Sequence, residues 1–329
     1  MQEFRGPDIE VVRFNKGTNL TLEERRKLNR NFALGKTLPP SKDVNSLNYS
    51  VPDICGTFLA EWAKQTLDID EAERIRHAIR KTNLYSPKEW EGVAPDHVGG
   101  VYRPLTNEVG AVLDQSLMNS ESGLMHRLTH EYVHALCKRT IKVEKDSVGE
   151  IRESLIYGFM NEKNTNFQLF NESLTELMAL EFEHDFSKDP RKYDSNPSNT
   201  TDFGMSEGNK FGNYIYGAIM VDMMVEKAAE NLQIPVRNLR HDLYRGMINS
   251  DFSVLRKLRK GLGDNSLRVL SGLKTDILSD GSYAVIAQFA EDLGIDREEF
   301  ESRARDFKIG KAIVLDMDIG AIMGLEESA

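Results

Sequence analysis

Two imidazoles four positions apart, with a carboxylate beside the first, form the string His130-Glu131-Tyr132-Val133-His134. On a helix, residues four apart lie about 40° apart on one face, so both imidazoles can converge on one metal ion while Glu131 flanks them within reach of a bound water. Two histidines do not complete a catalytic zinc site, which takes three protein ligands and keeps a fourth position open for water. The extended pattern HExxHxxGxxH would place Gly at 137 and His at 140, but this chain has Cys137 and Thr140. The third ligand must therefore come from elsewhere, and a glutamate on a later helix is the remaining common solution. Asn171-Glu172-Ser173-Leu174-Thr175-Glu176 offers two, with Glu181 and His184 close behind.

The elements around these residues follow from periodicity. Leu124, Leu128, Val133 and Leu136 recur at helical spacing, predicting a buried helix from about Ser122 to Lys138, capped by Asn119 or Ser120. Just before it, Gly99 to Leu113 reads as strand, turn, strand, with Pro104-Leu105-Thr106-Asn107 as the turn. Helices are expected from Asp53 to Thr82 with a break at Asp68-Ile69-Asp70, from Glu150 to Met160, and from Asn171 to Phe182. Ser187 to Asn213, rich in Ser, Asn, Pro, Gly and Asp, reads as a long loop. From Tyr214 to about Asp306 the pattern is almost wholly helical, with breaks at Pro235, Gly261 to Asn265 and Gly281. The first 50 residues combine a short apolar run, Ile9 to Phe14, with a charged helix from Thr21 to about Phe32.

Bulk composition narrows the class. The 329 residues are 40% hydrophobic and 29% charged, enough to bury a proper core. Net charge is −10, from 42 basic and 52 acidic residues, which argues against a protein built to coat nucleic acid or an anionic membrane. Two cysteines, Cys55 and Cys137, exclude a disulfide scaffold, and Cys137 reads as a small buried apolar residue. The polar start and the lack of any apolar run of about 18 residues predict a cytoplasmic chain with no membrane span, leaderless secretion staying open.

The Asn171-Glu172 to Glu176 string resembles the third-ligand helix of the gluzincins, the zincin superfamily that includes thermolysin, anthrax lethal factor and the zinc aminopeptidases. The resemblance implies Glu172 as the third zinc ligand. It also implies Glu176 as the acid that accepts a hydrogen bond from the outer nitrogen of His130. The Gly99-Gly100-Val101-Tyr102 segment is similar to the edge strand that precedes the HExxH helix in many zincins. By that likeness Gly100, Val101 and Tyr102 would pair with an extended substrate through their main chain. Tyr214-Ile215-Tyr216-Gly217-Ala218 is similar to the YxxGA string of the aminopeptidase branch, making Tyr214 the expected oxyanion donor, with Tyr216 or His241 as stand-ins. No match to that branch's glycine-rich exopeptidase loop precedes His130, which favours an endopeptidase.

The expectation is thus an α+β zincin of the gluzincin type. A small sheet with an edge strand packs on the HExxH helix, and a mostly helical C-terminal part follows. Residues 1–90 are expected to form a helical arm, 91–230 the catalytic core and 231–329 a helical subdomain. The expected function is hydrolysis of internal peptide bonds in a protein or peptide substrate, with one Zn²⁺ per chain. Glu131 would take a proton from the zinc-bound water and pass it to the leaving amine. The rival reading is a zincin fold retained as a non-catalytic binding module. His126, a turn before His130, lies too far along a straight helix to share the same ion. His241 reads as an exposed helix-face residue.

Overall fold

A computed structural model describes residues 9–13, 23, 38–40, 50–94, 99–113, 121–145, 151–161, 166–187, 212–273 and 282–304. The architecture is mixed α/β and mostly helical, with two small sheets. Among the described residues, α1 (Ser50–Leu67) and α2 (Ala72–Arg80) are separated by Asp68 in the left-handed region, at φ 56°, at the charged break expected there. Both pack on the HExxH helix, α4 (Glu121–Leu136), and between α2 and α4 lies the short α3 (Pro87–Trp90). The expected caps Asn119 and Ser120 lie outside the described residues, as do nearly all of the charged N-terminal helix and residues 188–211 of the expected long loop.

The smaller sheet packs against the HExxH helix. Its order is β2-β4-β3, with β2 (Thr82–Tyr85) parallel to β4 (Glu108–Val112) and β3 (Gly100–Arg103) antiparallel to it. Among the described residues β3 therefore has one neighbour and an open outer edge. Successive side chains in a strand point to opposite faces, and here Gly100 and Tyr102 are buried while Val101 and Arg103 are half-buried. The intervening turn needs a residue tolerant of positive φ. Asn107, at φ 54°, supplies it, accepting from the Tyr102 hydroxyl at 2.9 Å and donating to the Arg74 carbonyl at 3.2 Å.

The larger sheet corrects the expected helix over 150–160. There β6 (Ile151–Tyr157) pairs antiparallel with β5 (Arg139–Lys145) and with β7 (Met160–Asn161), and β1 (Ile9–Arg13) pairs parallel with the far side of β5. Ile151, Leu155 and Ile156 satisfy helical spacing as well as a strand, and a short apolar run cannot be assigned by period alone. The deciding signal is the neighbour. Thr140-Ile141-Lys142-Val143-Glu144 alternates polar and apolar and supplies a seven-residue partner in register.

Helix α5 (Gln168–Ser187) follows β7, and then come α6 (Gly212–Leu232), α7 (Val236–Asn249), α8 (Leu255–Leu262), α9 (Ser266–Gly272) and α10 (Ser282–Asp292). Pro235 caps α7, as the expected break there requires. One hydrophobic cluster runs from Cys55 through the faces of α4, α5 and α6 to Phe300, so the N-terminal helices, the HExxH helix and the C-terminal helices share a core. No helix among the described residues is long and apolar enough to cross a membrane.

Candidate metal centre

Helices α4 and α5 pack together, bringing His130 and His134 against Glu172. Oε2 of Glu172 lies 3.3 Å from His130 Nε2 and 3.1 Å from His134 Nε2, and the three candidate ligand atoms all lie within 4.8 Å of one another. Ligand atoms about 2.0–2.1 Å from a tetrahedral zinc stand roughly 3.3 Å from each other, so both contacts match edges of a coordination tetrahedron. His130, His134 and Glu172 form a group that can hold a metal ion.

The outer nitrogen of His130 settles which face it presents. Nδ1 lies 2.8 Å from Glu176 Oε2, and in a neutral ring that donates there Nε2 points a lone pair at Glu172. A lone pair and a carboxylate oxygen 3.3 Å apart repel unless a cation lies between them. With protons alone filling that role, burial opposes the charge, but hydrogen bonds to Glu172 and Glu176 lift His130 to about 10. Against the same cost of burial, the histidines hold Glu172 well below the usual carboxylate range. A divalent cation satisfies the same electrostatics without a proton. Neither thiol belongs to this group, and burial pushes Cys55 and Cys137 up to about 12.

Rings fix the two imidazoles. Tyr102 stacks on His134 with centroids 6.4 Å apart and planes 9° apart, and Tyr157 meets the same ring edge-on at 6.1 Å. Tyr102 thus braces the HExxH helix with its side chain. Tyr214, at the start of α6, stacks on His130 at 5.5 Å. Burial, then the charges of Glu172, Glu131 and Glu176, push its hydroxyl well above its ordinary pKa, so it keeps its proton and stays a donor. His134 Nδ1 is buried with no hydrogen-bond partner among the described residues.

Glu131 sits between the histidines and the edge strand. A Cβ at Gly100 would lie 2.6 Å from Glu131 Oε1, so the carboxylate occupies the space that glycine vacates. Burial, and then the nearby carboxylates against the pull of the histidines, raise the Glu131 pKa.

Several roles were hidden from sequence. Asn171 does not face the histidines: its Oδ1 accepts from the Phe159 amide at 2.9 Å, clamping the left-handed turn at Gly158 to the start of α5. Gly217 permits the approach of α6, since a Cβ there would lie 2.1 Å from Ser173 Oγ, and Tyr214 stands one turn before it. Gly217→Ala is expected to destabilise the fold by about 1–3 kcal/mol through overpacking, with Ser173→Ala recovering most of the loss. Thermal unfolding of the two singles and the double checks this, and additive losses would contradict it.

His241 departs from expectation: it is buried, with Nε2 3.3 Å from Glu181 Oε1, while the Tyr244 hydroxyl donates to Glu181 Oε2 at 2.9 Å. Glu181 lies nine positions after Glu172, about half a turn around α5, so this cluster lies on the opposite flank of the helix. Tyr216 packs against the core and His184 is exposed. Neither joins the metal group.

No protein-family model, curated protein or solved structure matches the chain.

Proposed function

We propose that the chain is a zinc-dependent metallopeptidase of the gluzincin type that cleaves internal peptide bonds, with a zincin-like arrangement of edge strand and HExxH helix. The observation that carries this reading is His130. Its Nδ1 faces Glu176 and its Nε2 faces Glu172, whose same oxygen also faces His134 Nε2, so the cluster calls for positive charge at that point, which a metal ion held by the three residues would supply. Three ligand atoms from two histidines and a carboxylate are the donor set of a catalytic zinc with one position open. A zinc ion held by His130, His134 and Glu172 would supply an activated water and polarise a carbonyl.

The chain's own residues divide the remaining work. The outer edge of β3, open among the described residues, would take an extended peptide by main-chain pairing, with little demand on its sequence. Glu131, against Gly100 and thus beside that edge, accepts the proton of the attacking water and returns it to the leaving amine. Tyr214 donates to the developing oxyanion, a contact of this kind contributing about 3 kcal/mol.

The place of Gly100 yields its own prediction. Gly100→Ala puts a methyl group on the Glu131 carboxylate and should cut cleavage about 100-fold, the scale of a 1 Å misplacement, with zinc retained. Unchanged turnover would show that Glu131 has room to act elsewhere. Endopeptidase action is tested by digesting a peptide library with the zinc-loaded full chain. Internal cuts that persist when the amino termini are blocked are expected, and trimming confined to free amino termini would refute the endopeptidase reading.

A further inference from the structure

The metal group is one end of a longer seam. Along the contact of α4 and α5, His134, His130 and His126 alternate with Glu172, Glu176 and Glu183. Each histidine stands one turn from the next, and the three glutamates fall within about 40° on one face of α5. Glu176 divides its oxygens: Oε2 lies 2.8 Å from His130 Nδ1, and Oε1 lies 3.0 Å from His126 Nε2. The far nitrogen of His126 is in turn held by Glu183, with Nδ1 3.0 Å from Oε1 and 3.1 Å from Oε2. The side chains of Glu176 and Glu183 are each 4% exposed and that of His126 12%.

His126 is not in the metal group, so protons alone can satisfy the carboxylates that its two nitrogens face: it donates from both, and the ring carries a positive charge. His126 therefore places one buried cation between two buried anions, where an unpaired carboxylate would be costly. The ring is beyond reach of the metal group, and the pattern has a direction. Each layer satisfies the outer atoms of the one before it, ending at the imidazole that binds the ion.

We infer that His126 and Glu183 are positioning residues, a third layer that orients Glu176 on His130 and thereby sets the metal affinity of the site. This rests on the metal reading above. The alternative is an ion pair that merely fastens two helices. It differs in what it moves: apo stability but not metal affinity.

The test measures zinc affinity of the full chain by chelator competition, the visible bands of its cobalt-substituted form, and apo thermal stability. Two variants are compared with the wild type, Glu183→Gln and the double His126→Leu/Glu183→Leu. The double removes the whole buried pair in favour of apolar groups, a change often neutral for stability, and so guards against a single variant that fails to fold. Both variants should bind zinc about 10- to 100-fold more weakly and shift the cobalt bands, as loss of outer-layer support does. Folded variants with wild-type affinity and unshifted bands would overturn the inference. A wild-type chain that takes up neither zinc nor cobalt would overturn the metal reading itself, and the inference with it.

Discussion

Glu131→Gln is expected to keep its zinc and to lose peptide-bond cleavage by about 10²- to 10⁴-fold, the scale of a missing general base. Glutamine preserves the shape that fits against Gly100 but cannot accept the water's proton. His130, His134 and Glu172 are untouched, so the metal content per chain should stay at the wild-type value. Turnover of an unfolded protein by the variant at the wild-type rate would remove Glu131 from the chemistry. Loss of zinc together with activity would move it from base to structural support.

Glu172→Ala should have the opposite signature, with metal lost first and activity as a consequence. The substitution deletes the one oxygen that both imidazole Nε2 atoms face, leaving two ligands where a stable site needs three. Zinc affinity should fall by more than about 100-fold, beyond the range for removing an outer partner. Glu176→Gln, which leaves all three ligands in place, should fall inside that range. Chelator competition on the two variants ranks them, and equal losses would show that Glu172 acts at the same remove as Glu176.

Much of the centre was legible because its chemistry is local. The HExxH spacing and the NExxxE spacing each fix a helical face without tertiary information, and the structure brings those two faces together at His130, His134, Glu172 and Glu176. The strand-turn-strand before α4 was equally legible, since the turn residues interrupt two extended apolar runs. What escaped depends on partners distant in sequence. Residues 151–157 fit either period until β5 lies beside them, and Ile9–Arg13 looks like an isolated apolar run until it pairs with the far side of β5. His126 offered no signal as a single residue. Its role appears only when Glu176 and Glu183 are seen on either side of its ring. His241 looked like a surface residue because the carboxylate that holds it, Glu181, belongs to another helix.

Hydrolysis at a single zinc held by His130, His134 and Glu172 is tested most directly by one titration. Zinc is added stepwise to the metal-stripped full chain, and the rate of internal cleavage of an unfolded protein is read at each step. The rate should rise in proportion to added zinc and level off at one ion per chain. Cleavage that ignores zinc, or tight uptake of one zinc with no cleavage at any step, would contradict it.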